Sequence, residues 1–420
     1  MNRITGKTVT LLLSAALGSI IFADVEAPYE VGPWANFAKG AITHGFDDNM
    51  NTNPTAQEQT IFDTYKFHIS LHVQTASVNW ANAKASFAKG HEISSHTVNH
   101  SSSNDGFQKS QAAIKSNVPG EKCVTVAYPD CQQNGANTLS YFIAGRNCNG
   151  QVNDKTPGDF SQIGAVGVGS GQGGYTNTTS GINAIADQAI SKGGWAVCMH
   201  HGIGSQSHNW ATTNLDAMKG HLKYLDENRN KIWMETFGNV ARYIKERNAA
   251  TLKVKSSTDS KFTITLTDNL ADSIYNYPLT IRRPLPDGWT DVAVYQNSKL
   301  IADSIVTIES KKYIMFNAVP DSGDIVITPP VGINKDLSHS ISGNNITFHN
   351  SLLSFNAGSF SGSSITASFF DLRGKLIFSN TCKNNASEIS VPVNLLNHSA
   401  FVAKITDGKS TVVSRCLSQM

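Results

Sequence analysis

Between about residues 30 and 248, short apolar runs alternate with segments whose apolar residues recur at helical spacing. The runs GAITHGF, FHISLHV, VTVAYP, YFIAG, IGAVGV, WAVCMHH and IWMETF are short, continuous and bounded by polar turns, so they read as buried strands. Helices are expected near residues 55–65 and 79–89, and in TTNLDAMKGHLKYLDENR and FGNVARYIKERNA. Strand and helix in alternation imply an α/β domain with a mainly parallel sheet or barrel. In such folds the chemistry gathers at the carboxyl ends of the strands.

After about residue 250 the period changes. TLKVKS, KFTITLT, YPLTIRR, DVAVYQ, DSIVTIE, KYIMFNA and GDIVITP are short alternating runs between polar turns, the pattern of a β-sandwich. TPPVGINKD reads as a linker. NNITFHN, SSITASFFDLRGKLIF, SEISVPVN and AFVAKITDGKSTVVS then form a second all-β module, with hairpin signals at DLRGKL and TDGKST. The expected division is a leader over 1–23, an α/β domain over 24–249, a β-sandwich module over 250–331 and a second over 332–420.

Arg3 and Lys7 followed by VTLLLSAALGSIIFA and Ala23 make the first 23 residues a secretory leader. No later run approaches the ~20 apolar residues of a membrane span. Removing the leader lowers Lys+Arg from 34 to 32 against 32 Asp+Glu, which leaves a neutral chain with no charge bias toward nucleic acid or anionic membranes. In an exported chain the six cysteines are free to form disulfides. Cys131 and Cys148 each follow a strand, and could pair if those strands are parallel neighbours. Cys382 and Cys416 could pair in the tail. Cys123 and Cys198 sit at or inside apolar strands and read as buried thiols.

Three polar stretches fall just after strands. THGFDDN carries Asp47 and Asp48, HTVNH carries His96 and His100, and WAVCMHHGIG carries His200 and His201. Adjacent acids at a strand end point in different directions, so one can bind a cation while the other faces a substrate. Histidines at i and i+4 can share one side of a helical turn. Two imidazoles and one carboxylate leave open positions on a divalent metal, as hydrolytic sites require. Each stretch alone is weak, because paired aspartates often cap helices and an HxxxH arises readily by chance.

Taken in order, these stretches resemble the polysaccharide deacetylases of the NodB-homology type, carbohydrate esterase family 4. FDDN is similar to the family's TFDDG, GHEISSHTVNH to its GHEIxxHTxxH, VAYPD to its RxPY, and VCMHHGI to its closing strand and histidine. The resemblance implies a distorted (β/α) barrel followed here by the two β modules. It also implies a divalent cation, zinc first and cobalt, nickel or manganese as alternatives, on Asp48, His96 and His100. By the same likeness Asp47 is the general base and His201 the acid, with His200 the competing choice. Tyr128, Asp130 and Trp210 are candidate substrate or oxyanion contacts. His68, His72, His91 and Glu92 read as supporting residues. There are departures. Gly45 replaces a threonine and Asn49 a glycine. Ala127 stands where the family has the arginine that orients the base, and Arg146 at the next strand end is the candidate replacement in space.

The expected function is a secreted or cell-surface, metal-dependent hydrolase that removes acetyl groups from a glycan. Acetylxylan is the first substrate to consider, and chitin-type or peptidoglycan amides the second. The alternative is an inactive glycan-binding protein on a deacetylase scaffold. FDLRGKLIF and AFVAKITDGKSTVVSRCL resemble the C-terminal sorting modules of type IX secretion, which implies secretion machinery as a partner. The chain is expected to be a monomer.

Overall fold

The protein is described by a computed structural model. It covers residues 24–48, 55–204, 210–301, 303–329, 347–349, 352–356, 360–370, 376–384, 388–392 and 400–417. The expected leader, Asn49 and most of the linker lie outside the described residues. The chain divides into two compact units, one of residues 1–288 and 294–326 and the other of residues 289–293 and 327–420.

Two short strands, β1 (Asp24–Val25) and β2 (Glu30–Val31), precede the α/β elements. Eight parallel strands follow: β3 (Gly40–Asp47), β4 (Ser70–Val73), β5 (Glu92–Ser95), β6 (Thr125–Ala127), β7 (Ala144–Arg146), β8 (Val166–Gly167), β9 (Trp195–His200) and β10 (Ile232–Met234). They run in the order β7-β6-β5-β4-β3-β9-β8, with β10 beside the start of β3. Ile163, just before β8, forms a parallel bridge with Arg146, so the segment 163–167 joins β7 to β9 and brings the two edges of the sheet together.

Both faces of this sheet are apolar, as a parallel sheet covered on both sides requires. On one face Ile42, Phe46 and Ala196 pack with Phe62, Leu222 and Leu225. On the other, Ala41, Trp195 and Val197 pack with Trp34 and Phe237. The helices are α1 (Thr55–Asp63), α2 (Trp80–Ala88), α3 (Asn104–Asn117), α4 (Thr179–Lys192), α5 (Leu215–Glu227) and α6 (Phe237–Ala249). Caps define their starts. Asn79, Ser103, Thr178, Asn214 and Thr236 each accept a backbone N–H of the first turn, and Gly193 closes α4 in the left-handed region. Of these elements, α3, α4 and β5 escape the hydropathy pattern. Their apolar positions are filled largely by Ala, Gly and Ser, as at Gly106 and Ser110 in α3 and at Ser94 and Ser95 in β5.

The strands expected after residue 250 form as β11 (Thr251–Thr258), β12 (Lys261–Thr267), β13 (Leu279–Pro284), β14 (Ala293–Gln296), β16 (Asp303–Ile308), β17 (Lys311–Ala318) and β18 (Ile325–Thr328), with a short β15 (Lys299–Ile301) added. They do not stand apart from residue 24 onward, as the expected boundary had it. β1 pairs with β11 and β2 with β13, so residues 24–31 belong to these sheets and the α/β strands begin at Gly40. Nearly all of residues 24–326 fall in one unit.

In the second unit β19 (Thr347–His349), β20 (Leu352–Asn356) and β23 (Glu388–Pro392) form one sheet. A second is ordered β22 (Leu376–Lys383), β21 (Ser364–Phe370), β24 (Ala400–Thr406), β25 (Thr411–Leu417). The expected bond between Cys382 and Cys416 is not formed. The two residues lie on β22 and β25, opposite edges of this sheet and about 14 Å apart at the ordinary strand spacing. That is well beyond the reach of a disulfide, and Cys382 is a free thiol.

One buried carboxylate ties the frame together. Glu92 on β5 accepts hydrogen bonds from Ser70 Oγ of β4 (2.6 Å), Thr125 Oγ1 of β6 (2.6 Å) and the Gly238 backbone N–H in the first turn of α6 (3.0 Å). Glu92→Ala strands three buried donors and is expected to cost about 3 kcal/mol or more. Denaturant unfolding measures this, and a loss below about 0.5 kcal/mol contradicts it.

Candidate metal centre and cavity

β3 ends in Asp47 and Asp48, and the chain turns sharply there. Asp47 closes the strand and faces the barrel interior, whereas Asp48 sits in the left-handed region at φ 62°. The two carboxylates therefore diverge. Asp47 Oδ2 accepts a 2.6 Å charge-assisted hydrogen bond from Arg146 Nη2, and both side chains are buried. Burial pushes the Asp47 carboxyl upward, but Arg146 and the nearby imidazoles outweigh it and hold the group well below the usual carboxylate range. Its other oxygen, Oδ1, is buried and has no hydrogen-bond partner among the described residues. Asp48 instead turns to the second motif, its Oδ1 3.6 Å from His96 Nε2, and accepts a hydrogen bond from Gln74 Nε2.

His96 and His100 do not share a helical turn. Thr97 (φ 67°) and His100 (φ 58°) adopt left-handed backbone, and that turn brings the two rings to 4.9 Å between centroids. Ligand atoms of Asp48, His96 and His100 all lie within 4.8 Å of one another. His96 Nδ1 pairs with the Ala127 carbonyl at 2.8 Å, so it carries the proton and Nε2 is left with its lone pair. Metal-ligating histidines are commonly held this way. One carboxylate and two imidazoles, one of them fixed in tautomer, fit a divalent cation such as zinc.

These groups line a cavity of about 450 Å³ at the carboxyl ends of the strands, together with Tyr128, Asp130, Tyr175, His201 and Trp210. Asp130 (φ 50°) and Cys131 (φ 61°) add two more left-handed residues to its rim. Non-glycine residues in this conformation cost about 1–3 kcal/mol each and gather at functional sites. Asp48, His100, Asp130 and Cys131 line this cavity, and Thr97 adjoins His96 behind it. His201 Nε2 lies 4.0 Å from Asp47 Oδ2, and its ring meets Trp210 edge-on at 4.7 Å. Burial lowers its pKa, with Asp47 and Asp48 opposing. Trp210 is half exposed and also meets Tyr175 edge-on. The Tyr128 hydroxyl is engaged within the fold, pairing with Thr138 Oγ1 and donating to the Ser161 carbonyl. The Asp130 carboxylate stands 4.0 Å from His100 Nδ1.

Ala127 and Arg146 are register partners on β6 and β7, so their side chains leave the sheet on the same face. An arginine at either position enters the barrel at the same level, which accounts for Ala127. The departure at Gly45 also has a steric cause. A Cβ there would lie 2.7 Å from Nε2 of the buried His72 ring, which occupies the space beside Asp47. Tyr175 joins the cavity, and Gln74 supports Asp48 through a hydrogen bond, without any signal in the motifs. Cys131 and Cys148 form a disulfide, and Cys123 and Cys198 are buried thiols.

His200 is not in the cavity. It points into the layer under the helices, where a chain of buried rings runs from Thr213 Oγ1 to His200 Nδ1 (3.0 Å), His200 Nε2 to His44 Nδ1 (2.9 Å), His44 Nε2 to His221 Nε2 (3.2 Å) and His221 Nδ1 to Asn183 Oδ1 (2.7 Å). Each ring donates once and accepts once, so three neutral imidazoles satisfy all six nitrogens. His44, His200 and Cys198 also lie close enough to hold a metal, but the hydrogen-bond chain accounts for their placement without one. His68 sits 3.6 Å from Glu235, and His91 pairs with Asp63 at 3.0 Å; neither faces the cavity.

No family model matches the chain. A gellan lyase from a Bacillus species is 27% identical over 329 residues, which is 71% of this chain but only 13% of that protein's length. Among solved structures, an allantoinase is similar at TM-score 0.41 and 11% identity, over 51% of this chain and 93% of that one. A probable polysaccharide deacetylase from Pseudomonas aeruginosa is similar at TM-score 0.37 and 11% identity, over 51% and 93%. A family 4 acetyl xylan esterase from Clostridium thermocellum, in complex with cobalt, is similar at 0.33 and 18%, over 48% and 89%.

The imidazole chain makes stability depend on pH. Burial holds His200 and His221 at about 3 and, with the neighbouring rings, keeps His44 well below the ordinary value. The rings stay neutral when folded, whereas an unfolded histidine gains a proton near pH 6.5. Stability is therefore fully present above that pH and falls by about 1.4 kcal/mol per pH unit for each ring as the pH drops toward 3. Denaturant midpoints at pH 7 and pH 5 test this. Equal midpoints would mean that the folded chain takes up the protons.

Proposed function

We propose that the chain is a metal-dependent deacetylase that hydrolyses acetyl groups from a polysaccharide outside the cell. The observation that carries this reading is the convergence of Asp48, His96 and His100 beside the buried Asp47–Arg146 pair, in one cavity at the strand ends. The ordered likeness of FDDN, GHEISSHTVNH and VCMHHGI to the deacetylase motifs supports it.

Asp48, His96 and His100 would hold a divalent cation, zinc first, which would supply Lewis-acid polarisation of the acetyl carbonyl and acidify water. Arg146 keeps Asp47 ionised and fixes its Oδ2, which leaves Oδ1 to take the proton from the attacking water. Water's oxygen bonds to the acyl carbon as the bond to the sugar oxygen or nitrogen breaks. His201 Nε2 gives a proton to the leaving hydroxyl or amine, and the products are acetate and the deacetylated sugar. The Asp130 backbone N–H steadies the oxyanion. Trp210 and Tyr175 offer an aromatic wall to the sugar rings. The leader and the tail's likeness to a sorting module support export, and no described helix is long and apolar enough to cross a membrane. The alternative of an inactive binding protein arose from Ala127. Arg146 removes that motive.

Acetate release from acetylxylan, chitooligosaccharides and acetylated gellan, with and without chelator, tests the reading. Release that chelator abolishes is expected on at least one of them. Metal binding with no release from any acetylated glycan would favour the binding protein. Asp47→Ala should lose at least about 10²-fold in kcat and keep its metal, whereas His96→Ala should lose the metal.

The two histidines at the end of β9 should separate cleanly. His201→Ala is expected to lower kcat by about 10²–10⁴-fold, and His200→Ala to lower stability instead. A larger kcat loss in His200→Ala moves the acid to that residue.

A further inference from the structure

The arginine that holds the base stands on a short strand. β7 has three residues, pairs with β6 over those three, and on its other side meets a single bridge at Ile163. The chain beyond Arg146 runs through residues 147–165 with no regular element except a three-residue turn at Phe160–Gln162. Isolated backbone ties hold it at Asn147–Ile163, Gly150–Ala165 and Asn153–Trp195, and the position of so short a strand end depends on such ties. A shift of about 1 Å at a positioning residue can cost 10²-fold in rate.

The disulfide is a covalent tie at the same end. Cys148 is two residues past Arg146. Cys131 closes the left-handed turn that follows β6, next to Asp130, and both cysteines line the cavity. The backbone at this end of β6 already serves the site twice. The Ala127 carbonyl holds His96 at 2.8 Å, and the Tyr128 N–H donates to the Arg146 carbonyl at 3.0 Å. The bond between Cys131 and Cys148 therefore joins the strand end that orients a proposed ligand to the strand end that carries the arginine.

We propose that the Cys131–Cys148 disulfide is a positioning device for the base: it sets Arg146 against Asp47, and activity depends on its being formed. This rests on the reading of Asp47 as the base. The disulfide touches no reacting atom and acts through Arg146. An arginine at position 127 would stand on β6, which pairs with β7 over three residues and with β5 at Ser95–Val126. On β7 the arginine lies two residues from Cys148, where a covalent tie to the turn after β6 acts on it directly.

Two measurements on the full-length chain test the proposal. In the first, kcat and KM for acetate release are compared for Cys131→Ser, Arg146→Ala and the double variant. Cys131→Ser is expected to lose roughly tenfold to a hundredfold in kcat with little change in KM. The double variant should be no slower than Arg146→Ala alone, because the clamp has nothing left to position. A bond that merely stabilises the fold gives additive losses or an unchanged kcat, and either result overturns the proposal.

The second measurement does not need activity, so it stands even if no acetate is released. The guanidinium ¹⁵N–H signals of Arg146, assigned by their loss in Arg146→Ala, should be slow to exchange in the wild type. They should exchange rapidly once the disulfide is reduced with a phosphine. That reagent takes up the oxygen of one water while both sulfurs leave as thiols, and it does not chelate metal as dithiols do. Reduction of the folded wild type also replaces Cys131→Ser should that variant fail to fold. Protected Arg146 signals after complete reduction overturn the proposal.

Discussion

The ion pair between Asp47 and Arg146 is the constraint around which the cavity is arranged. Both groups are buried, and an unpaired charge there would be untenable; removing one partner of such a pair costs about 3–5 kcal/mol. The pair spans the barrel from the end of β3 to the end of β7, so it also fixes the distance between two distant strands. Its consequence for Asp47 is directional. One oxygen is committed to the guanidinium and the other is left facing the proposed chemistry. The pairing lowers the basicity of Asp47, so what Arg146 contributes is orientation and a guaranteed negative charge rather than proton affinity.

Around that pair the frame is rigid and the rim is strained. Glu92, the imidazole chain and the capped helices are fully satisfied networks. Asp48, His100, Asp130 and Cys131 hold left-handed backbone at the cavity, and Thr97 holds it beside His96. Strain of this kind persists only where the surroundings over-determine it. Here the surroundings are parallel strands buried on both faces, with their ends tied together by the Asp47–Arg146 pair and the Cys131–Cys148 disulfide.

Much of this was legible in the sequence. Asp47, Asp48 and His201 stand at ends of strands that hydropathy marks out, His96 and His100 were marked by their motif, and the structure brings all five into one cavity. The Cys131–Cys148 pairing followed from the neighbouring strands. Other features were not legible, for physical reasons that can be named. Gly45 shows in the sequence only as a departure from the motif, and its meaning lies in His72, a residue on another strand that needs the volume. His44, His200 and His221 are spread over 178 positions of the chain and meet only through packing. β5 and α3 bury serine and glycine where a hydropathy pattern looks for leucine and valine. Cys382 and Cys416 looked like partners because sequence order does not reveal sheet order.

The arginine shows the general difficulty most clearly. A motif is a statement about spacing along the chain, whereas the chemistry needs a guanidinium at one point in space. Parallel register makes Ala127 and Arg146 equivalent entry points on one face, so the loss of arginine at the first is uninformative until the second is inspected. Both strands are short: β6 meets β5 at a single pair, and β7 meets Ile163 at a single bridge. A charged group can move between adjacent strands at little electrostatic cost, but the new strand must hold it as firmly as the old one did. The covalent link from Cys148 back to the end of β6 meets that requirement by tying the new position of the arginine to the old one.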